Sequence, residues 1–228
     1  AALAAKPESA LPLAVSVSER RVRALARALG RAFDRKPVDA KIALRGTKPT
    51  VTRPKKGFRV ERAALTASLR HALRTHEREP LAIPHAVVDP AITRRDIGPV
   101  VVILRDSKQL RLYNGARLRG RFGIATGQAS FPTPTGTFEV VTMQRSPWWY
   151  PPPSDWAEGL EPVPPGPGNP LGTRWMGLSA AFVGIHGTPD AASIGYSASH
   201  GCIRMHISDA EWLFERVRVG TPVYILSA

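Results

Sequence analysis

From Gly98 onward the chain is cut into short apolar runs by turn residues, and that punctuation restricts the fold more than any other feature of the sequence. "VVVILR", "QLRLY" and "ARLRGRF" are separated by "DSK" and "NG". Asn114-Gly115 between alternating runs is the strongest short-range hairpin signal available. "FPTPTGTFEVVTM" continues as turn and strand, "SDAEWLFERV" reads as a short helix opened by a Ser208-x-x-Glu211 capping box, and "GTPVYIL" closes the chain as a strand. Residues 98–228 are therefore expected to form a mostly-β domain with a sandwich or barrel-like core, not a parallel sheet.

The preceding residues carry a different texture. "SVSERRVRALARALGRAF" (16–33) opens with a Ser16-x-x-Glu19 capping box and repeats apolar residues at Val22, Leu25, Ala26, Leu29 and Phe33, and "ERAALTASLRHALR" (61–74) puts Leu65, Leu69 and Leu73 on one stripe. Short β-like runs broken by Gly and Pro lie between these two helices. Residues 1–92 thus read as a small α+β domain, and 93–97 as a linker.

Charge is divided as unevenly as texture. Residues 1–96 hold 21 Lys+Arg against 9 Asp+Glu, net +12, and residues 97–228 hold 11 against 9, net +2, which together make the formal charge of +14. Such a field attracts a polyanion, an anionic membrane surface or an acidic cell-wall polymer, unless it is simply a solvated helix face. Arg20, Arg23, Arg27 and Arg31 have no aromatic residues interleaved, which argues against nucleic acid. No window of the sequence approaches 18 uninterrupted apolar residues, so no transmembrane helix is expected. The chain begins at Ala1 without an initiator methionine, so an upstream signal or anchor is a further expectation.

Cys202 is the only cysteine among 228 residues. An intramolecular disulfide and a multi-thiolate zinc site are both excluded, leaving packing or reactivity. It sits in "ASHGCIRM", behind His200 and behind Gly201, which permits a sharp turn or close approach of backbone to a ligand. "VGIHGTP" (183–189) is an apolar run that ends in His186 and breaks at Gly187 and Pro189, as a buried strand delivering a histidine would. A thiol is a useful nucleophile only as thiolate, so Cys202 needs a base or cationic partner; His186 is the candidate, expected to form an ion pair with it, and His200 is its rival. His186, His200, Cys202 and His206 could in principle supply zinc ligands, but His200-x-Cys202 on a tight turn leaves little room for convergence. His71, His76 and His85 have no ligand cluster around them and are assigned to surface or core. Residues 147–170 contain nine prolines and three tryptophans, too many breakers for regular structure, and read as a lid or substrate groove.

With these motifs in place, residues 98–227 resemble the catalytic domain of the L,D-transpeptidases, the YkuD-type domain. "TPTGTF", "PWWYPPPS", "NPLGTRWMGL", "GIHGTP" and "SHGCIRM" occur in family order. Residues 37 to about 75, through "PVDAKI" and "GFRVERAAL", are similar to a small peptidoglycan-binding domain found upstream of such catalytic domains. The resemblance implies an extracytoplasmic enzyme of cell-wall biogenesis with no cofactor and no metal. Peptidoglycan stem peptides are its implied partners, and carbapenem β-lactams its implied covalent inhibitors. In that scheme Cys202 attacks the carbonyl of the third stem residue, D-alanine leaves, and a neighbouring amine resolves the thioester to a 3→3 cross-link. Water in place of the amine would give an L,D-carboxypeptidase, and a dormant site a cell-wall binding protein. The resemblance further implies that His200 acts chiefly through backbone and that the amides around Gly201 and Cys202 form the oxyanion hole. Arg204 suits a substrate carboxylate or a structural ion pair. Ser199 and Thr188 are candidates for orienting the histidines, and Trp149 for contacting substrate.

Overall fold

A computed structural model describes residues 16–76 and 78–228. The first fifteen residues of the expected N-terminal domain, and Glu77 within it, lie outside the described residues. The chain runs α1 (Glu19–Phe33), β1 (Ile42–Arg45), β2 (Lys48–Val51), β3 (Gly57–Val60), α2 (Arg62–Thr75) and β4 (His85–Val88). It continues through β5 (Pro99–Leu104), β6 (Gln109–Asn114), β7 (Arg117–Gly123), β8 (Thr126–Gly127), β9 (Gly136–Arg145), β10 (Arg174–Leu178) and β11 (Gly184–Thr188). It ends with β12 (Ser197–Ser199), β13 (Ile203–His206), α3 (Ile207–Phe214) and β14 (Pro222–Leu226).

Two compact units result, one of residues up to Asp39 with Pro54–Ala91, the other of Ala40–Arg53 with Ile92–Ala228. The first is α+β: α1 and α2 enclose Ala26, Val60 and Leu65, and β3 pairs antiparallel with β4. α1 starts two residues later than its capping-box signal, with Ser18 at the N-cap and no side-chain cap bond. Glu19 is drawn away from the helix backbone by Arg70 of α2, which donates to it from Nε and Nη2 at 2.5 and 2.7 Å. The apolar face is also narrower than its periodicity suggests, for Val22 and Ala26 are buried while Leu25, Phe33 and Leu73 are exposed.

The hairpin β1–β2 falls inside the stretch expected as one N-terminal domain, yet it belongs to the second unit. Its Ile42 and Leu44 pack on Val100, Val102, Leu104 and Tyr113. Val101 and Ile103, alternating with these, face the main core with Leu110, Leu112, Ile185, Ile203 and Ile225. Burial on both faces is why β5 reads as an unbroken apolar run instead of alternating.

Eight strands form one mixed sheet in the order β13-β11-β10-β9-β14-β5-β6-β7. β5-β6-β7 is the expected meander, joined at Asn114↔Arg117. Its two-residue turn is Gly115-Ala116, with Gly115 at φ +59°, the residue that needs freedom from a Cβ. The C-terminal strand β14 then inserts between β5 and β9, parallel to the former, and β13 runs parallel to β11. Reciprocal backbone bonds between Ala125 and Arg204 (2.9 and 3.0 Å) bring the sheet ends nearly into a closed barrel. α3 covers the β11 side with Ala210, Leu213 and Phe214. Its N-cap is His206, two residues before the expected Ser208, with Glu211 accepting from Thr173 Oγ1 at 2.7 Å instead.

Candidate active site

Every residue of β11 is buried, and this strand carries His186. The flanking glycines are there for packing: a Cβ on Gly184 would stand 2.3 Å from the Trp175 ring, and one on Gly187 would lie 3.2 Å from Ile207 Cα. Trp175 is the direct β10 partner of His186, their rings 5.9 Å apart and tilted. The His186 Nδ1 lies 2.6 Å from the Gly187 carbonyl. A carbonyl only accepts, so Nδ1 carries the proton and Nε2 is left with a free lone pair.

Cys202 arrives on a turn that is clamped from two sides. Gly201 adopts φ +110°, a conformation closed to residues with a Cβ. Ser199 Oγ donates to the Cys202 carbonyl at 2.6 Å and accepts from the Gly201 amide at 3.2 Å. Thr133 Oγ1, fully buried, donates to the Gly201 carbonyl and accepts from the Gly127 amide, both at 2.8 Å. β12 pairs in parallel with β8 just before this turn, and β13 leaves it alongside β11, so that Arg204 lies in register with His186.

The thiol itself donates to the Phe182 carbonyl at 3.4 Å. Phe182 itself takes φ +59° and is 69% exposed. An aromatic residue in this region stores strain of order 1–3 kcal/mol, as residues at functional sites often do.

Burial decides the protonation states. It lowers the His186 imidazole from 6.5 to about 4, with Arg204 adding to the effect and the Gly187 carbonyl opposing it. Burial also raises the Cys202 thiol, against a backbone hydrogen bond from Gly184 and the charge of Arg204. Near pH 7 the pair therefore rests as neutral thiol and neutral imidazole, not as an ion pair.

His200 stands differently. Its exposed ring is stacked on Trp156, centroids 3.9 Å apart and planes within 12°, and is tilted against Phe131 at 5.0 Å. Arg204 forms an ion pair with Asp190 at 3.5 Å while also lining the cavity. The Ser199 hydroxyl is committed to the turn, and Thr188 accepts from the Asp190 amide at 3.1 Å away from the cavity lining, so neither hydroxyl orients a histidine. The Gly201 amide is likewise engaged by Ser199. Among the described residues no group of three or more His, Cys, Asp or Glu side chains converges on a metal-sized site.

Cys202, His186, His200, Ser199, Arg204 and Trp149 all border one cavity of about 750 Å³. Its far wall is the 147–170 segment, irregular as expected except for a single turn at Asp155–Ala157 and a bridge between Trp149 and Val163. Asn169 ties this segment's base. Fully buried, its amide donates to the carbonyls of Pro147, Val163 and Pro164 (2.9, 3.1 and 3.1 Å), and its Oδ1 accepts from Leu171 at 2.8 Å. Asn169, Thr133, Trp175 and Phe182 carry no titratable group and were not singled out from sequence. Only the motif fragments "TPTGTF" and "NPLGTRWMGL" pointed toward three of them.

The comparisons with known proteins agree with this geometry. Residues 98–225 match the L,D-transpeptidase catalytic domain, and residues 2–81 match a "Putative peptidoglycan binding domain". The "Putative L,D-transpeptidase YqjB" of Bacillus subtilis is 33% identical over 132 residues, 56% of this chain and 70% of its own. The "Putative L,D-transpeptidase YkuD" of Bacillus licheniformis is 35% identical over 141 residues, 61% of this chain and 73% of its own. Among solved structures, the L,D-transpeptidase from Mycobacterium smegmatis superimposes with a TM-score of 0.50 at 14% identity, covering 88% of this chain and 85% of that one, a likeness of fold. A mixed, nearly closed β-barrel with a lone cysteine and a strand-borne histidine on one cavity defines a class of acyl-transfer domain. The chain belongs to the L,D-transpeptidase family, with a YkuD-type catalytic domain.

Proposed function

We propose that this protein is a cysteine-dependent L,D-transpeptidase that forms 3→3 cross-links between peptidoglycan stems outside the cytoplasm. The observation that carries the reading is the pairing of Cys202 with a His186 whose Nδ1 proton is held by Gly187, so that only Nε2 can act as base. As Cys202 Sγ bonds to the carbonyl carbon of the third stem residue, its proton passes to His186 Nε2. The neutral resting pair means that this transfer accompanies attack instead of preceding it.

Negative charge develops on the substrate oxygen, and the Cys202 amide is the donor we assign to it. Such a donor is worth about 3 kcal/mol of barrier. Collapse breaks the C–N bond, and His186 delivers its proton to the departing D-alanine amine. A side-chain amine of a second stem then attacks the thioester, losing its proton to His186, and the thiol is regenerated. Arg204 is placed to attract the donor's terminal carboxylate while Asp190 steadies it. Trp149 lies along the stem, the 147–170 segment acts as the cover, and the basic N-terminal domain over residues 1–92 engages anionic wall polymer.

Incubation with a purified disaccharide tetrapeptide, followed by mass spectrometry of products, tests the reading. Free D-alanine together with a dimeric muropeptide is the expected result. D-alanine without dimer would make the protein an L,D-carboxypeptidase, and neither product would leave it a wall-binding protein.

A further inference from the structure

Two large aromatic rings beside the catalytic cavity remain uncovered. Trp148 is 50% exposed and Tyr150 65% exposed. Their rings stack with centroids 6.2 Å apart and planes within 24° of parallel, and both border the cavity that holds Cys202. Leaving two such rings in water forgoes burial that aromatic side chains ordinarily obtain.

The pair is also held in place before any ligand arrives. The intervening Trp149 is half-buried, and its backbone exchanges two 2.9 Å hydrogen bonds with Val163. Residues two apart on extended chain face the same side, which puts 148 and 150 together. Pro151, Pro152 and Pro153 follow with their φ angles locked, and Asn169 anchors Pro147 just upstream. A rigid surface loses little conformational entropy when it is covered.

We propose that Trp148 and Tyr150 form a stacking platform for a pyranose ring of the glycan that bears the donor stem. The inference rests on the peptidoglycan reading above and adds a sugar subsite to it. A pyranose presents one apolar C–H face and a rim of hydroxyls. An aromatic face with its negative quadrupole suits the first, and an open platform leaves the second in water. The stem's carboxylates, by contrast, are served by Arg204 elsewhere in the same cavity. Three stem residues separate the reacting carbonyl from the sugar, a reach of at most about 10 Å. Cys202 and the platform both border the same cavity of about 750 Å³.

The test compares two donors, the free tetrapeptide and the same tetrapeptide on its disaccharide, by kcat/KM. The wild-type protein should favour the disaccharide donor by roughly tenfold, the equivalent of about 1.4 kcal/mol of stacking. Trp148→Ala and Tyr150→Ala should each move that ratio toward one, while Trp148→Phe and Tyr150→Phe should restore most of it. No preference in the wild type, or a parallel loss on both donors, would overturn the platform. Absence of turnover on either donor would count against the proposed activity alone. Titration calorimetry of the stem-free disaccharide into Cys202→Ala would then decide: saturable heat that Trp148→Ala abolishes supports the platform, and no heat removes it.

Discussion

The two walls of the cavity hold the same side chain in opposite ways. On the β11 wall His186 is buried, its Nδ1 fixed by a backbone carbonyl and its basicity lowered to about 4. On the wall built by the 147–170 segment, His200 is exposed and spends its ring on stacking with Trp156 and Phe131. Burial on a strand gives one tautomer and one orientation, which proton transfer requires. Exposure among aromatic rings gives a surface, which recognition requires. Two histidines fourteen residues apart would look equivalent on composition alone; their surroundings set them apart.

The largest effect should come from the nucleophile. A carbapenem should add once to the wild-type protein, with peptide mapping placing it on Cys202, and Cys202→Ala should show no adduct by intact-mass spectrometry. That variant should keep its melting temperature, since it removes a single sulfur whose side-chain hydrogen bond is a long 3.4 Å contact to Phe182. An adduct on another residue would detach the chemistry from both walls.

The histidine contrast comes next. His186→Ala should slow acylation by about 10²–10⁴-fold, the usual worth of a positioned general base. His200→Ala should cost less than about tenfold, because it loses packing and not a proton acceptor. Rapid-mixing measurement of adduct formation distinguishes them, and the reverse order would exchange the roles of the two walls.

The buried imidazole also sets a pH dependence. Because His186 is held at about 4 when folded against 6.5 when free, the unfolded chain binds a proton that the folded chain refuses. The stabilisation is complete above about pH 6.5 and is lost as pH falls toward 4, by roughly 3 kcal/mol in all. Urea unfolding at pH 7 and pH 4.5 should show the decline, and His186→Gln should flatten it. The acid limb of acylation should fall near pH 4 for the same reason. A limb near 6.5 would mean that the base is not the buried His186.

Asn169→Ala should act on the aromatic wall alone. It removes three donated bonds and one accepted bond between the buried Asn169 side chain and backbone partners, a cost of about 1–3 kcal/mol. Amide exchange should accelerate across residues 148–164 and tryptophan emission should shift, with β11 unaffected. Equal acceleration in β11 would show that the walls are not independent.

Much of this was legible before any coordinates. The strand runs after Gly98 and the hairpin at Asn114-Gly115 appear in the structure as read, because turn residues and apolar alternation act over a few neighbours. The capping boxes at Ser16 and Ser208 each misplace the N-cap by two residues, since Glu19 and Glu211 find partners far along the chain, Arg70 and Thr173. The hydroxyls of Ser199 and Thr188 were expected beside the histidines and are occupied by local turns instead.

By itself the sequence determined the family, the lone cysteine and the strand that carries His186, for each is written in residue type and short spacing. Only the tertiary structure decided that β14 enters the middle of the sheet, that β1–β2 covers β5, and that Asn169 closes the aromatic segment. It alone decided the neutral resting state of Cys202 and His186. Those outcomes depend on which distant groups share a buried space, and the free energy of a proton or an amide there is set by what surrounds it rather than by its neighbours in the chain.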